Sequence, residues 1–181
     1  MGNLKIVAMA LALLIAPAAW AEFMEIEASK IVTIEPADKS ESPRILVKWD
    51  LPYELEGKII DAAVVAITVP HEGDEPFEVD VHPMIKSWDA ETARWDDGWE
   101  KEGGDFNEEL PAPGLVSERN GGKISADVSL TVKGQIGGTA SNFGFILVGQ
   151  PNSQSKLKAI SANDATRLAD AKLIIAYRVR R

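Results

Sequence analysis

The sequence predicts an all-β protein, an antiparallel β-sandwich of jelly-roll type with a short helical turn and one long loop rich in Trp and acidic residues. Three observations predict this class. Short segments of alternating apolar and polar residues recur along the chain, and turn residues separate them. No repeated alternation of strands and helices, the pattern of a parallel α/β sheet, is visible. Residues 84–122 have no sustained period and contain three of the five Trp.

The N-terminus, residues 1–21, has the pattern of a signal peptide. Lys5 supplies a short positive region, Ile6 to Ala16 is apolar, and Ala19 to Ala21 fits the small-x-small cleavage pattern. The apolar run is shorter than the ~20 residues that span a bilayer. We therefore expect signal cleavage without membrane insertion, and a secreted or periplasmic mature chain, residues 22–181, that forms a single domain.

The composition narrows the classes of partner. The chain has 19 Lys and Arg against 28 Asp and Glu, so its net charge is −9, and removal of Lys5 makes the mature value 18 − 28 = −10. An acidic surface repels phosphate backbones and anionic lipid headgroups, which disfavours nucleic acid and membrane surfaces as partners. The absence of cysteine excludes disulfides, thiolate metal sites and Cys nucleophiles.

Alternation defines the first strands. Residues 24–34 keep their apolar side chains largely in one phase, which predicts a single half-buried strand. The next strand directs Ile45, Val47 and Trp49 to one face and ends at a Leu-Pro turn at Pro52.

The later strands follow the same logic. Residues 59–69 are apolar in both phases and indicate a strand buried on both faces. Residues 77–82 alternate cleanly and indicate one wet face, while residues 124–132 alternate again. Residues 142–148 and 173–179 supply the closing strands. The phases within the strands predict one core between two sheets, which contains Ile45, Val47, Val64, Ile67, Val128, Leu147 and Ile175.

Several segments, taken in order, carry a family resemblance. Arg44 to Pro52 is a strand with Trp and Asp near its end, and two Trp frame an acidic stretch in residues 88–95. Asn142 to Gly144 precedes one strand, and Leu173 to Tyr177 is a strand that ends in Tyr. In this order and spacing, over about residues 43–177, they resemble the DNRLRE family of secreted β-sandwich domains, whose members include carbohydrate-binding modules.

The resemblance adds three expectations. It implies a β-sandwich, a strand that stops near Val128 before a single helical turn, and a carbohydrate ligand. The sequence departs from the family pattern at two places, because Asp96 replaces the usual Asn after the second Trp and Ile136 replaces a later aromatic residue.

The loop Trp residues are the candidate carbohydrate-binding residues. An indole ring stacks on the apolar face of a sugar, and its N–H donates to a hydroxyl. Trp88 and Trp95 match the family signature, so an alternative role for both is to hold the loop on the core. Trp99 lies outside that signature and is therefore the main candidate.

Acidic residues in the same loop suggest a cation site. Asp96 and Asp97 are the candidate ligands for Ca²⁺, which prefers six to eight oxygen atoms. The spacing of an EF-hand is absent, and a solvated acidic loop is the alternative interpretation. The two histidines do not have the local spacing of a metal-ligand pair, since His71 adjoins a turn and His82 lies on the wet face of its strand.

The sequence contains no nucleophile elbow, phosphate loop or dinucleotide fingerprint. We therefore predict an exported, non-catalytic recognition module that binds a polysaccharide. The alternative is a structural or interaction protein of the cell surface or extracellular matrix, without a glycan site, whose partner is a surface protein. Exposed stacking Trp side chains favour the first function, and burial of all three loop Trp favours the second.

Overall fold

The computed structural model describes residues 21–38, 40–116, 122–150, 156–159 and 170–179. The predicted signal peptide lies outside these residues, apart from Ala21. Within the described ranges, no helix has the length and apolar character needed to cross a membrane.

Two antiparallel sheets form a sandwich. The four-stranded sheet has the order β1-β9-β4-β7, and the five-stranded sheet has the order β2-β3-β8-β5-β6. The strands are β1 (Glu22–Glu27), β2 (Lys30–Ile34), β3 (Arg44–Lys48), β4 (Ile59–Thr68), β5 (Phe77–Pro83), β6 (Ala112–Val116), β7 (Lys123–Asp127), β8 (Phe145–Gly149) and β9 (Lys172–Arg178). Helix α1 spans Ser129–Ile136, and a 3₁₀ turn spans Tyr53–Leu55.

The strand order is that of a jelly roll with one addition. If β2 is set aside, the remaining strands form two sheets of four in jelly-roll order, and β2 extends the second sheet beside β3. The predicted all-β sandwich is therefore confirmed. The helical turn expected after Val128 is present as α1, and it is longer than a single turn.

The main core lies between the two sheets. Six of the seven predicted core residues belong to it: Ile45, Val47, Ile67, Val128, Leu147 and Ile175. The prediction for Val64 is wrong, because β4 buries only the face that carries Ala63, Val65 and Ile67. The opposite face of β4 is half-buried and also carries small apolar residues. Residues 62–67 are therefore apolar at every position, which resembles a strand buried on both faces.

The prediction of one strand across residues 24–34 is also wrong. The chain crosses from one sheet to the other at Ala28 and Ser29, so β1 and β2 pair with different partners. The phase reverses at this point, since Ile31 enters the main core while Val32 and Ile34 face outward. Sequence period alone does not reveal such a crossing, because both halves remain apolar.

The predicted long loop contains a strand near its end. β6 pairs with β5 although its sequence includes Pro113 and Gly114, which a sheet tolerates at an edge. A side chain at Gly114 would collide with Ile124 of β7. The close approach of the two sheets at this corner therefore explains the glycine, which in the sequence resembles a turn signal.

Candidate functional site: a cleft between an edge strand and the Trp loop

The Trp loop, residues 84–111, folds back onto the outer face of the five-stranded sheet. Its side chains and those of the sheet form a second buried cluster, separate from the main core. The cluster consists of Val32, Ile34, Leu46, Met84, Ala93, Trp95 and Ile146. Trp88 and Trp99 pack against it and are half-buried. The loop is thus packed onto the sheet through its own apolar residues.

Arg44, at the start of β3, contacts the Trp loop through its guanidinium group. Its Nη1 donates to the carbonyl oxygen of Gly103 at 2.7 Å. Its guanidinium carbon lies 4.7 Å from the ring centroid of Trp95 and 5.5 Å from that of Phe106. Burial lowers the pKa of Arg44, and the nearby carboxylate of Glu41 counteracts this. The sequence does not distinguish this arginine from an ordinary strand-end residue.

Asp105 organises the tip of the loop. Its carboxylate is buried and accepts hydrogen bonds from the backbone N–H groups of Glu100 at 2.9 Å and Lys101 at 3.0 Å. Lys86 Nζ lies 3.7 Å from the same carboxylate. Among the acids of this loop, Asp105 therefore has a structural role, and it was not distinguished in the sequence.

Asp89 fastens the other side of the loop to the sheet. Its carboxylate accepts a hydrogen bond from Glu91 N at 2.9 Å and pairs with Lys30 Nζ of β2 at 3.3 Å. The bond from Glu91 is the main cause of a lowered pKa at Asp89, and Lys30 adds to it. This ion pair links β2 to the loop.

A cleft of about 600 Å³ separates β2 from the Trp loop. Its walls are residues Val32, Thr33, Ile34 and Glu35 on one side and Ala90, Glu91, Ala93, Arg94, Trp95 and Asp96 on the other. Successive residues of a strand point to opposite faces, so four consecutive lining residues mean that the cleft runs beside the strand edge. In the described chain β2 pairs only with β3, and the edge that faces away from β3 has no partner strand.

The three loop Trp side chains differ in their hydrogen bonds. Trp88 Nε1 donates to the carbonyl oxygen of Phe143 at 2.7 Å, and Trp99 Nε1 donates to that of Arg94 at 2.6 Å. Trp95 is 7% exposed and lines the cleft. Its indole N–H makes no hydrogen bond to any described residue. Among the described side chains, the fully buried polar atom without a partner is Ser42 Oγ, not the indole nitrogen of Trp95. Trp95 is therefore the loop Trp whose indole donor the described residues do not use.

Acidic groups dominate the cleft. Glu35 on the strand side and Glu91 and Asp96 on the loop side are exposed and form no ion pair with a described residue. Among the described lining residues Arg94 is the one cation, and its guanidinium donates to the carbonyl oxygens of Ala93 at 2.7 Å and Glu91 at 3.0 Å. The cleft thus offers free carboxylates on both walls.

The candidate calcium ligands Asp96 and Asp97 are both exposed. In the described part of the chain, no three His, Cys, Asp or Glu side chains lie close enough together to hold a metal ion. The calcium site therefore stays a prediction.

The expectation that His82 faces water is wrong. Its ring is buried under the loop, where its centroid lies 4.8 Å from that of the tilted Phe106 ring, and its Nδ1 lies 3.1 Å from the carbonyl oxygen of Asn107. The alternation of β5 correctly placed His82 on the outer face. The error arose because a distant segment covers that face.

A smaller groove of about 300 Å³ lies between the loop and α1. Its walls include the exposed side chains of Ile85, Leu110 and Leu130, and it contains no charged residue. It includes none of the loop Trp residues, and we place the candidate site in the larger cleft.

A comparison of the chain with models of known protein families found no match, and a search of curated proteins also found none.

Proposed function

We propose that this protein is an exported, non-catalytic recognition module that binds a carbohydrate chain in the cleft beside β2. One observation carries the proposal. Trp95 lines a cleft whose other polar side chains are carboxylates, a guanidinium and the Thr33 hydroxyl, and its indole N–H makes no hydrogen bond to a described residue. The resemblance to DNRLRE domains supports the same ligand class.

The cleft has the mixed chemistry that a sugar ring requires. Sugar rings present apolar C–H faces and a rim of hydroxyls, so they need small apolar or aromatic contacts with polar groups beside them. Ala90, Ala93 and Trp95 supply the apolar contacts. Glu91 and Asp96 supply acceptors for hydroxyl groups. The backbone of β2 adds further polar groups along the cleft wall.

A second function has its own support. The indole N–H groups of Trp88 and Trp99 are bonded to backbone carbonyls, which suits residues that stabilise the loop. The position of β2 at the end of its sheet also suits addition of an extended segment from a partner protein. These observations favour an interaction protein of the cell surface or matrix without a glycan site.

A matched pair of conservative variants tests the proposed site. Trp95→Phe removes the free indole N–H and keeps an aromatic ring in the second cluster. We expect roughly three- to tenfold weaker binding of the best glycan from an array, the cost of about one hydrogen bond. Trp99→Phe should leave the affinity unchanged, since its N–H serves Arg94. Isothermal titration calorimetry measures the affinities, and thermal melts confirm that both variants fold.

Two results would redirect the proposal. If Trp99→Phe weakens binding and Trp95→Phe does not, the ligand binds at Trp99, the residue that the sequence favoured. If the folded wild-type protein binds no glycan across a broad array, the interaction-protein function replaces carbohydrate binding.

A further inference from the structure

We infer that a second carbohydrate-binding site lies at Tyr53 and that it takes uncharged sugars. The site is a pocket of about 340 Å³ whose lining comes from the 3₁₀ turn, the end of β3 and the end of α1. This volume is at the lower end of the range for ligand pockets, roughly 300–1,000 Å³. The inference rests on the proposed function for its ligand class, and it goes beyond that function because the pocket shares no lining residue with the cleft.

Tyr53 combines high exposure with a fixed backbone. It is 78% exposed, and the one other exposed aromatic residue of the described chain is Phe23, which lines neither this pocket nor the cleft. The 3₁₀ turn holds Tyr53 in place, since Glu56 N donates to its carbonyl oxygen at 2.9 Å and Leu55 is buried in the main core. An aromatic side chain has only two rotatable bonds, so it loses little entropy when a ligand binds. Tyr53 is therefore suited to stack on the apolar face of a sugar.

Two side-chain amides line the same pocket. Asn142 Nδ2 donates to the carbonyl oxygen of Trp49 at 2.8 Å, and Asn142 Oδ1 accepts from Gly144 N at 3.3 Å. An amide has two N–H donors and two acceptor lone pairs, so Asn142 is held by the protein and keeps one of each unused by described residues. The amide of Gln135 makes no hydrogen bond to any described residue. Both amides thus offer donors and acceptors to hydroxyl groups.

The charges of the pocket favour an uncharged ligand. Asp50 and Glu56 are exposed, Lys48 is half-buried, and none of the three forms an ion pair with a described residue. A uronate would meet the two carboxylates, and an amino sugar would meet the ammonium group of Lys48. A hydroxyl group accepts from an ammonium group and donates to a carboxylate, so hydroxyls alone satisfy both signs.

The Tyr53 pocket and the cleft are neighbours on one sheet face. Lys48 follows Leu46 by two residues, so it shares the outer face with the second cluster. It pairs in register with Lys30, whose Nζ bonds to Asp89 at 3.3 Å. The strand wall of the cleft begins two residues further along β2, at Val32. The two sites are therefore close together, and their occupancies must be measured separately.

One NMR titration of the ¹⁵N-labelled protein measures the two sites separately. The side-chain amides of Gln135 and Asn142 report on the Tyr53 pocket, and the indole N–H of Trp95 reports on the cleft. The probes are oligosaccharides of equal length: neutral ones of glucose, galactose or N-acetylglucosamine, cationic ones of glucosamine and anionic ones of glucuronate. At about 1 M salt, long-range attraction to the acidic protein is screened. We expect the pocket amides to shift with a neutral oligomer at lower concentration than with either charged one.

Two aromatic variants of similar exposure locate the contact. Tyr53→Ala should weaken binding of the neutral oligomer at the pocket amides about three- to tenfold, the contribution of one aromatic contact. The affinity measured at the Trp95 indole should not change. Phe23→Ala removes the other exposed ring and should alter neither affinity. Tyr53→Phe keeps a ring at the pocket and should stay within about threefold of the wild type. Thermal melts confirm that the variants fold.

The outcomes separate the inference from the proposed function. Pocket amides that do not shift with any neutral oligomer, while the Trp95 indole shifts or a glycan array shows binding, would overturn the inference and leave carbohydrate binding in place. Equal losses in Tyr53→Ala and Phe23→Ala, or tighter binding of a charged oligomer at the pocket amides, would do the same. If no resonance shifts and the folded protein binds nothing on a broad array, the proposed function fails together with the inference.

Discussion

The outer faces of the two sheets differ in burial. On the five-stranded sheet, Leu46 and Ile146 are 0% exposed because the Trp loop covers them. On the four-stranded sheet, Ile174 is only half-buried and Phe23 is 73% exposed. Neither buried cluster of the described chain includes a residue of this second face. In this jelly roll, the Trp loop covers the outer face of the five-stranded sheet, whereas the outer face of the four-stranded sheet is exposed to solvent.

The exposed outer face of the four-stranded sheet, called the open face, has the composition of a solvent-exposed sheet surface. Its central residues are small, such as Ala62 and Ala66, and a charged row crosses it. Lys172 of β9 pairs with Glu25 at 2.9 Å and Glu27 at 3.5 Å. The same glutamates flank the free edge of β1, where they would repel a second β1 strand. Charge on the open face thus replaces the protection that the Trp loop gives the other face.

Removal of one isoleucine from each face tests this comparison with the largest expected effect. Ile146→Ala should lower the free energy of unfolding by about 2–5 kcal/mol, because it leaves a cavity between sheet and loop. Ile174→Ala should cost less than about 1 kcal/mol, since little buried contact is lost. Urea unfolding monitored by circular dichroism measures both values.

Equal losses in the two variants would contradict the comparison, because they would mean that the open face is also covered. A small loss at Ile146 would mean that the loop does not contribute to stability. Tryptophan fluorescence provides an independent control, since only the Ile146 variant should alter the surroundings of the loop indoles.

The difference between the two faces also explains what the sequence predicted well. Residues whose neighbours are fixed by strand phase, such as Ile45 and Leu147, were assigned correctly to the inner core. Phase also placed His82 on an outer face. Whether an outer face is dry depends on a segment far away in the chain, and no local period encodes that. His82 and Val64 were misassigned for this reason, the first covered and the second uncovered.

The candidate site was predictable in part. Its loop was identified from lost periodicity, and Trp95 and Asp96 of the cleft were among the candidate residues. The strand wall was not anticipated, because residues 30–34 were assigned to the same strand as residues 24–27. Arg44 and Asp105 were missed, since their roles depend on burial under the loop and no local motif marks them.

A second comparison concerns two loop glycines with left-handed backbones. Gly103, with φ of +82°, lies against Arg44, and an added Cβ would be 3.0 Å from Trp95 Cζ2. Gly98, with φ of +87°, has no neighbour within 4 Å of such an atom. Gly98→Ala should therefore cost about 1 kcal/mol of stability from backbone strain alone. Gly103→Ala should cost about 1–3 kcal/mol more, because Arg44 must move.

Denaturant unfolding of the two glycine variants isolates the contribution of the Arg44 anchor. The excess loss in Gly103→Ala should be accompanied by greater acrylamide quenching of the Trp fluorescence, as Trp95 becomes more accessible. Identical losses and unchanged quenching would show that the loop tip adjusts freely and that Arg44 does not fix it.

The smallest expected effect on stability concerns two exposed ion pairs, one on the four-stranded sheet and one in the Trp loop. Asp61 of β4 receives a bidentate bond from Arg178, with oxygen–nitrogen distances of 2.7 and 2.8 Å, and this bond lowers the pKa of Asp61. Asp89 in the loop also has a lowered pKa, mainly from its bond with Glu91 N. A carboxyl with a lowered folded-state pKa contributes stability above its unfolded pKa, and that contribution is lost as the pH falls through the folded value.

Asp61→Asn and Asp89→Asn should therefore be slightly less stable than the wild type near pH 7, and the difference should shrink as the pH falls through the folded-state pKa of each carboxyl. Thermal melts across this range measure the difference. Only Asp89→Asn should also increase acrylamide quenching of the loop Trp at neutral pH, because its partner Lys30 lies on β2 at the cleft. A gap between variant and wild type that stays constant as the pH falls would contradict the assigned pKa shifts. Increased quenching in Asp61→Asn would show that the two faces are coupled, so that a change on the open sheet reaches the loop through the core.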